Sequence, residues 1–220
     1  MENQMKGIIF DLDGTIIDSA PDICAAINKM LTGEGLEPIN LATVTSFIGN
    51  GMPKLVERVI HHLGMPRALH NDLTAKTLEI YNANQSELTQ PYKGVIACLD
   101  LLKSEGYLLG ICTNKPFAIT QKVISDLDLL QYFDNIVGAD TLSVKKPNPA
   151  PLLHCIKPLG VNETVYVGDS ETDYQTAMNA HIPFALFTGG YRKEKLSYFK
   201  NARVFDTFNK LPEVIRKLFN

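Results

Sequence analysis

Apolar residues along this 220-residue chain follow two rhythms. Short runs such as Gly7-Ile8-Ile9-Phe10 and Leu109-Gly110-Ile111-Cys112, bounded by polar or glycine-bearing turns, have the length of buried strands. Strands are expected over 6–10, 107–112, 135–137, 164–167, 184–187 and 202–205. Between most of them, segments 94–104, 118–128, 150–158 and 174–180 carry apolar residues three and four apart, with Gly106 and Gly160 placed to close two of these helices. Strand alternating with helix predicts an α/β fold, a doubly wound parallel sheet covered on both faces.

About ninety residues separate the first two strands, far more than one crossover helix needs, so this interval holds an insertion. Its pattern is helical. Ser19-Ala20-Pro21-Asp22 reads as a helix start, followed by Ile23, Ala26, Ile27, Met30 and Leu31 on one face, and further helices fit 53–63 and 69–88. The expected organisation is an α/β core of residues 1–16 and 91–220 interrupted by a helical cap of residues 17–90. No internal repeat or low-complexity tract breaks this division.

Composition narrows the partners. A formal net charge of -3 provides no electrostatic footprint for nucleic acid or anionic lipid, so any anion must meet a local site. The first residues lack the basic region and apolar core of a signal peptide, and no apolar run reaches membrane-spanning length. A cytoplasmic protein without membrane contact, monomer or homodimer, is expected. The four cysteines, Cys24, Cys98, Cys112 and Cys155, are dispersed among apolar residues, and no two histidines stand four apart. The first pattern reads as packing, and the second argues against a zinc site.

The first apolar run delivers Asp11-Leu12-Asp13-Gly14-Thr15, two carboxylates one residue apart where an open α/β sheet binds its ligands. Held close together, they raise each other's pKa unless a cation compensates, which implies a metal ion, a proton or both. After Cys112, Thr113-Asn114-Lys115 offers a hydroxyl and an amide, although such residues also cap helices. In Lys145-Lys146-Pro147-Asn148-Pro149, the proline restricts the backbone of Lys146 and pre-organises its ammonium. Val165-Tyr166-Val167-Gly168 then runs into Asp169-Ser170-Glu171-Thr172-Asp173, a second acidic turn. Together with Asp11 and Asp13, its carboxylates are the hard oxygen ligands that magnesium prefers.

These four elements, in this order, resemble the haloacid dehalogenase superfamily, most of whose members are magnesium-dependent phosphatases. The resemblance extends over essentially the whole chain and implies a Rossmann-like core with an inserted cap. It implies Asp11 as a nucleophile that becomes a phosphoaspartate, and Asp13 as general acid and base with its carbonyl on Mg²⁺. Thr113, Asn114 and Lys146 would hold phosphate, and Asp169 would bind the metal with Asp173 in support.

Within the cap, Phe47-Ile48-Gly49-Asn50-Gly51-Met52-Pro53 sets two glycines around an asparagine immediately before a helix. That start presents unpaired N–H groups to an anion, with Lys54 and Arg58 one turn apart on one face. Gly49, Asn50, Gly51, Lys54 and Arg58 are thus candidate contacts for a small carboxylate; a glycine turn beside a solvated basic face fits the same residues. Ile48-Gly49-Asn50-Gly51, Leu55-Val56-Glu57-Arg58 and Gly189-Gly190-Tyr191 resemble loops of bacterial phosphoglycolate phosphatases within the superfamily. This implies 2-phosphoglycolate as the small phosphorylated metabolite. Phosphatases for pyrophosphate, a sugar phosphate or a nucleotide remain alternatives, as does a non-catalytic phosphate-binding module on the same fold.

Overall fold

The computed structural model describes residues 5–83 and 86–219. Its strands are β1 (Lys6–Phe10), β2 (Ile17–Asp18), β3 (Gln90–Pro91), β4 (Leu108–Cys112), β5 (Asn135–Val137), β6 (Glu163–Gly168), β7 (Phe184–Phe187) and β8 (Ala202–Phe205). The six expected strands make one parallel sheet in the order β5-β4-β1-β6-β7-β8. Chain order runs outward from β1 to one side and then from β6 to the other. The carboxyl ends of β1 and β6 therefore flank the topological switch point, where neighbouring loops diverge and leave a crevice.

The α-helices are α1 (Ala20–Gly33), α2 (Leu41–Phe47), α3 (Met52–His62), α4 (His70–Ala83), α5 (Val95–Ser104), α6 (Phe117–Asp126), α7 (Ala150–Ile156), α8 (Glu171–Ala180) and α9 (Leu211–Leu218). Alternation along each central strand divides the core between two faces. Ile8, Phe10, Val165 and Val167 join Leu99 and Leu102 of α5, Val123 of α6 and Ile215 of α9. Ile9 and Tyr166 point the other way, onto Leu152 and Cys155 of α7 and Ala177 of α8. Both faces are covered, which is why these strands read as continuous apolar runs. The cysteines are all buried free thiols.

Helices α1 to α4 lie in the insertion and share a separate apolar cluster built on Ile27, Leu31, Val44, Val56, Val59 and Leu73. Three features depart from the sequence reading. Helix α2 and the antiparallel β2–β3 pair, two residues long on each side, were not among the expected elements. The helix expected to run to residue 88 ends at Ala83 in the described residues, with 84 and 85 outside them. The reason lies in Asp22, a buried carboxylate that accepts from the backbone N–H of Leu88 and Thr89 and from the Thr89 hydroxyl. Those backbone donors are thereby drawn away from a helical ladder. Among the described residues no helix is long and apolar enough to cross a membrane.

Candidate active site

Asp11 follows the last residue of β1, Thr113 follows β4, and Asp169 follows β6, so three adjacent parallel strands deliver their polar residues to one crevice. Asp173 joins them from the first turn of α8. Carboxylate oxygens of Asp11, Asp169 and Asp173 all lie within 4.8 Å of one another, and all three residues are buried. The Lys146 ammonium stands 2.9 Å from Asp11 Oδ1 and 2.6 Å from Asp173 Oδ1, and donates to the Tyr166 hydroxyl at 2.8 Å. Asn114 fixes the Lys146 backbone from both sides, accepting from its N–H at 3.1 Å and donating to its carbonyl at 3.2 Å. The Asn114 side chain thus places Lys146, and it also lines the cavity beside Asp11 and Asp13.

The remaining carboxylates are held differently. Asp169 accepts from the Thr15 hydroxyl at 2.8 Å and from the Tyr191 N–H at 2.6 Å. That second bond requires the Gly189-Gly190 loop to press against the first acidic turn: a Cβ on Gly190 would strike the Gly14 carbonyl and the Asp169 side chain. Asp173 accepts on Oδ1 from Lys146 and Tyr166 and on Oδ2 from Ser170, with which it forms the capping box of α8. Its lone pairs are largely taken, which suits a supporting residue better than a direct ligand.

Charge shows what the cluster lacks. Burial, followed by repulsion from Asp173, pushes the Asp11 carboxyl up to about 7 despite the neighbouring ammonium. Burial, then Asp173 and Asp11, raises Asp169 well above the ordinary carboxylate range. Asp173 goes the other way, since Lys146 and Ser170 outweigh the burial that opposes them. Lys146 is raised, its two carboxylate partners overcoming burial. Asp11 Oδ1, although beside that ammonium, receives no directed hydrogen bond. A buried carboxylate oxygen without a directed hydrogen bond, among three converging acids, fits a small divalent cation with oxygen preference. Asp11 and Asp169 would hold it directly.

Asp13 is half-buried beside the cluster, where the Ser19 hydroxyl donates to it at 2.6 Å and Lys115 Nζ stands 2.9 Å and 3.2 Å from its two oxygens. Ser19 therefore spends its side chain on Asp13 instead of capping α1. The N–H groups of Ser19 and Ala20 go to the Tyr191 hydroxyl. Lys115 also donates to the hydroxyl of Tyr81 on α4 at 2.7 Å, which joins core and insertion through buried side chains. Neither residue received a role from sequence. Lys115 carried a weak signal as the third residue after a strand, whereas Tyr81 carried none, standing in an ordinary amphipathic helix.

The cavity over Asp11 and Asp13 is closed from the insertion by Gly49, Gly51, Met52 and Leu55. Gly51, at φ 82, turns the chain into α3 in a conformation a side chain would strain. Asn50 reaches across to Thr172 at 3.3 Å. The two cap cations lie elsewhere. Lys54 is half exposed and paired with Glu57 at 2.7 Å, and Arg58 braces the loop from behind through Asn50 Oδ1 at 2.7 Å and the Phe47 carbonyl at 2.5 Å. Neither side chain is among those that line the cavity.

A sheet crevice with an acid pair after its first strand, a hydroxyl after the next, a buried lysine and an acidic turn defines a class of protein. Residues 8–187 match the model of the haloacid dehalogenase-like hydrolases, and the chain belongs to that family. Among its relatives is a phosphoglycolate phosphatase of Cereibacter sphaeroides (strain ATCC 17025), 43% identical over 216 residues that span 97% of this chain and 99% of that one. The phosphoglycolate phosphatase of Rhodobacter capsulatus is 37% identical, over 94% of this chain and 95% of its own. A crystal structure of a predicted phosphoglycolate phosphatase from Haemophilus somnus 129pt superimposes with a TM-score of 0.89 at 27% identity, covering 98% of this chain and 100% of that one.

Proposed function

We infer that the chain is a magnesium-dependent phosphomonoester hydrolase that works through a phosphoaspartate and converts 2-phosphoglycolate to glycolate and phosphate. The observation that carries this reading is Asp11, a buried carboxylate with an oxygen lacking a directed hydrogen bond, held beside Lys146 at the sheet's switch point. In this reading residues 17–90 act as a cap over a core of 1–16 and 91–220. Phosphoryl transfer spreads negative charge over the equatorial oxygens, so its catalysts are cations, donors and alignment. When bound, Mg²⁺ supplies charge neutralisation and a fixed orientation for the phosphoryl group.

Asp11 attacks phosphorus in line with the departing oxygen. Lys146 holds charge against the phosphoryl oxygens, and the Thr113 hydroxyl donates to them. Asp13 gives its proton to the leaving alkoxide, then takes one from the water that opens the acyl phosphate. Ser19 and Lys115 keep its carboxylate aimed. Gly49, Asn50 and Gly51 bound the leaving-group side. The test is phosphate release from 2-phosphoglycolate, pyrophosphate, a sugar phosphate, a nucleotide and an aryl phosphate, each with magnesium and with excess chelator. The highest kcat/KM on 2-phosphoglycolate, abolished by chelation, is expected. Full activity under chelation would remove the metal from the reading, and a higher value on another ester would replace the substrate.

A further inference from the structure

With Lys54 and Arg58 engaged elsewhere, the cavity needs another cation to read a carboxylate. Among the described residues lining it, Lys115 is the sole positively charged one. The cavity measures about 70 Å³. That space suits a small leaving group. Its walls are apolar, with Ile23, Leu55, Leu78 and Ile119 around the acids on its floor. An ammonium there is costly to bury and is placed by more than packing.

Lys115 is 6% exposed and has one carboxylate partner, Asp13, where Lys146 has two. An ammonium carries three donors. Its acceptors are the two oxygens of Asp13 and the Tyr81 hydroxyl; because the Asp13 oxygens belong to one carboxylate and lie too close together to take two diverging N–H groups, one N–H serves both and the third is left for a ligand. The Tyr81 hydroxyl accepts that lysine hydrogen bond, but its own O–H meets no acceptor among the described residues. Two adjacent unspent donors, one cationic, thus border a cavity of this size. They suit the two oxygens of a carboxylate.

We propose that Lys115 and Tyr81 together form the recognition site for a carboxylate on the leaving group, and that they set the enzyme's selectivity. The inference rests on the phosphatase reading above, which places the phosphoryl group at Asp11 and so sends the leaving group past Asp13 toward these donors. A phosphomonoester of equal size without the carboxylate leaves both donors unmet.

The experiment compares kcat/KM for 2-phosphoglycolate and for ethyl phosphate in the parent, Lys115→Met, Lys115→Arg and Tyr81→Phe, and measures inhibition by glycolate of ethyl phosphate hydrolysis. Because Lys115 also orients Asp13, both substrates lose rate in Lys115→Met, and the ratio between them is the readout. The preference for 2-phosphoglycolate is expected to fall about tenfold to a hundredfold in Lys115→Met and about threefold to tenfold in Tyr81→Phe. Lys115→Arg should restore part of it, and glycolate inhibition should weaken in parallel. Equal losses on the two substrates in both Lys115→Met and Tyr81→Phe would overturn the carboxylate site while leaving the phosphatase reading intact. A parent with no preference between the substrates would instead overturn the choice of 2-phosphoglycolate, and this proposal with it. Should Lys115→Met fail to fold, Tyr81→Phe, which removes one oxygen, decides by the same ratio.

Discussion

At the scale of single residues, Asp11 and Asp13 stand two positions apart and occupy opposite environments. Asp11 is buried in the acid cluster with Lys146, while Asp13 turns toward Ser19 and Lys115. Asp11→Asn preserves shape but removes the nucleophile, so turnover should vanish with the fold intact; phosphate release and a melting curve together check this. Asp13→Asn should lower kcat by about 10²- to 10⁴-fold, the usual worth of a positioned acid and base. Appreciable phosphate release by Asp11→Asn free of deamidated protein would remove the nucleophile assignment. A second expectation concerns pH. The folded carboxyl of Asp11 sits at about 7, above the ordinary 3.8, so without metal the folded state holds its proton more tightly than the unfolded chain. That contribution to stability is complete below the unfolded value and lost as pH climbs through the folded one. A metal needs the same carboxylate ionised, so the Tm gained on adding magnesium should be larger at about pH 8 than at about pH 5. An equal gain at both would disconnect the metal from Asp11.

At the scale of elements, short contacts make one strand end depend on another. The loop before α3 is braced by Arg58 from behind and by Asn50 against Thr172 of α8. Arg58→Ala leaves the core untouched but frees this loop, so KM for the substrate should rise severalfold with a smaller change in kcat. Gly51→Val imposes a β-branched side chain on a backbone at φ 82, with the Asn114 carbonyl 3.5 Å from its Cβ. Its cost of roughly 1–3 kcal/mol should appear as a lower Tm and weaker substrate binding. Steady-state kinetics beside thermal melts separates the two variants: Arg58→Ala should hardly move Tm. A large fall in Tm for Arg58→Ala would make Arg58 a fold residue rather than a loop brace.

At the scale of the molecule, the insertion is tied to the core at a few buried polar points. Lys115 of the core donates to Tyr81 of α4, while Asp22 of α1 holds the two ends of the insertion together through the backbone leading into β3. Tyr191 ties the loop that supports Asp169 to Asp18 and to the start of α1. Asp22→Ala leaves buried N–H groups unpaired and should cost about 2–4 kcal/mol. For a chain of this length that is a Tm lower by roughly 4–16 °C in a melting curve. A change of less than a degree would mean that water replaces the carboxylate.

The six sheet strands and most core helices were legible because burial on one face or both writes a period of two, an unbroken apolar run or a three-and-four spacing directly into the residues. The acid pair, Lys146 and the second acidic turn were legible for a related reason: the end of a parallel strand is where polar chemistry collects, and sequence marks strand ends. β2 and β3 left too little pattern, being two residues each, and Leu88 sits in an apolar rhythm overridden by the Asp22 carboxylate. The side chains that complete the site were decided in three dimensions. Tyr81 meets Lys115 across 34 positions and Tyr191 meets Ser19 across 172, while Arg58, favourably spaced, turned to brace its own loop. Local pattern determines which residues are buried and which strand ends carry charge; which distant side chains share one cavity depends on packing between elements, a relation that no single segment of sequence contains.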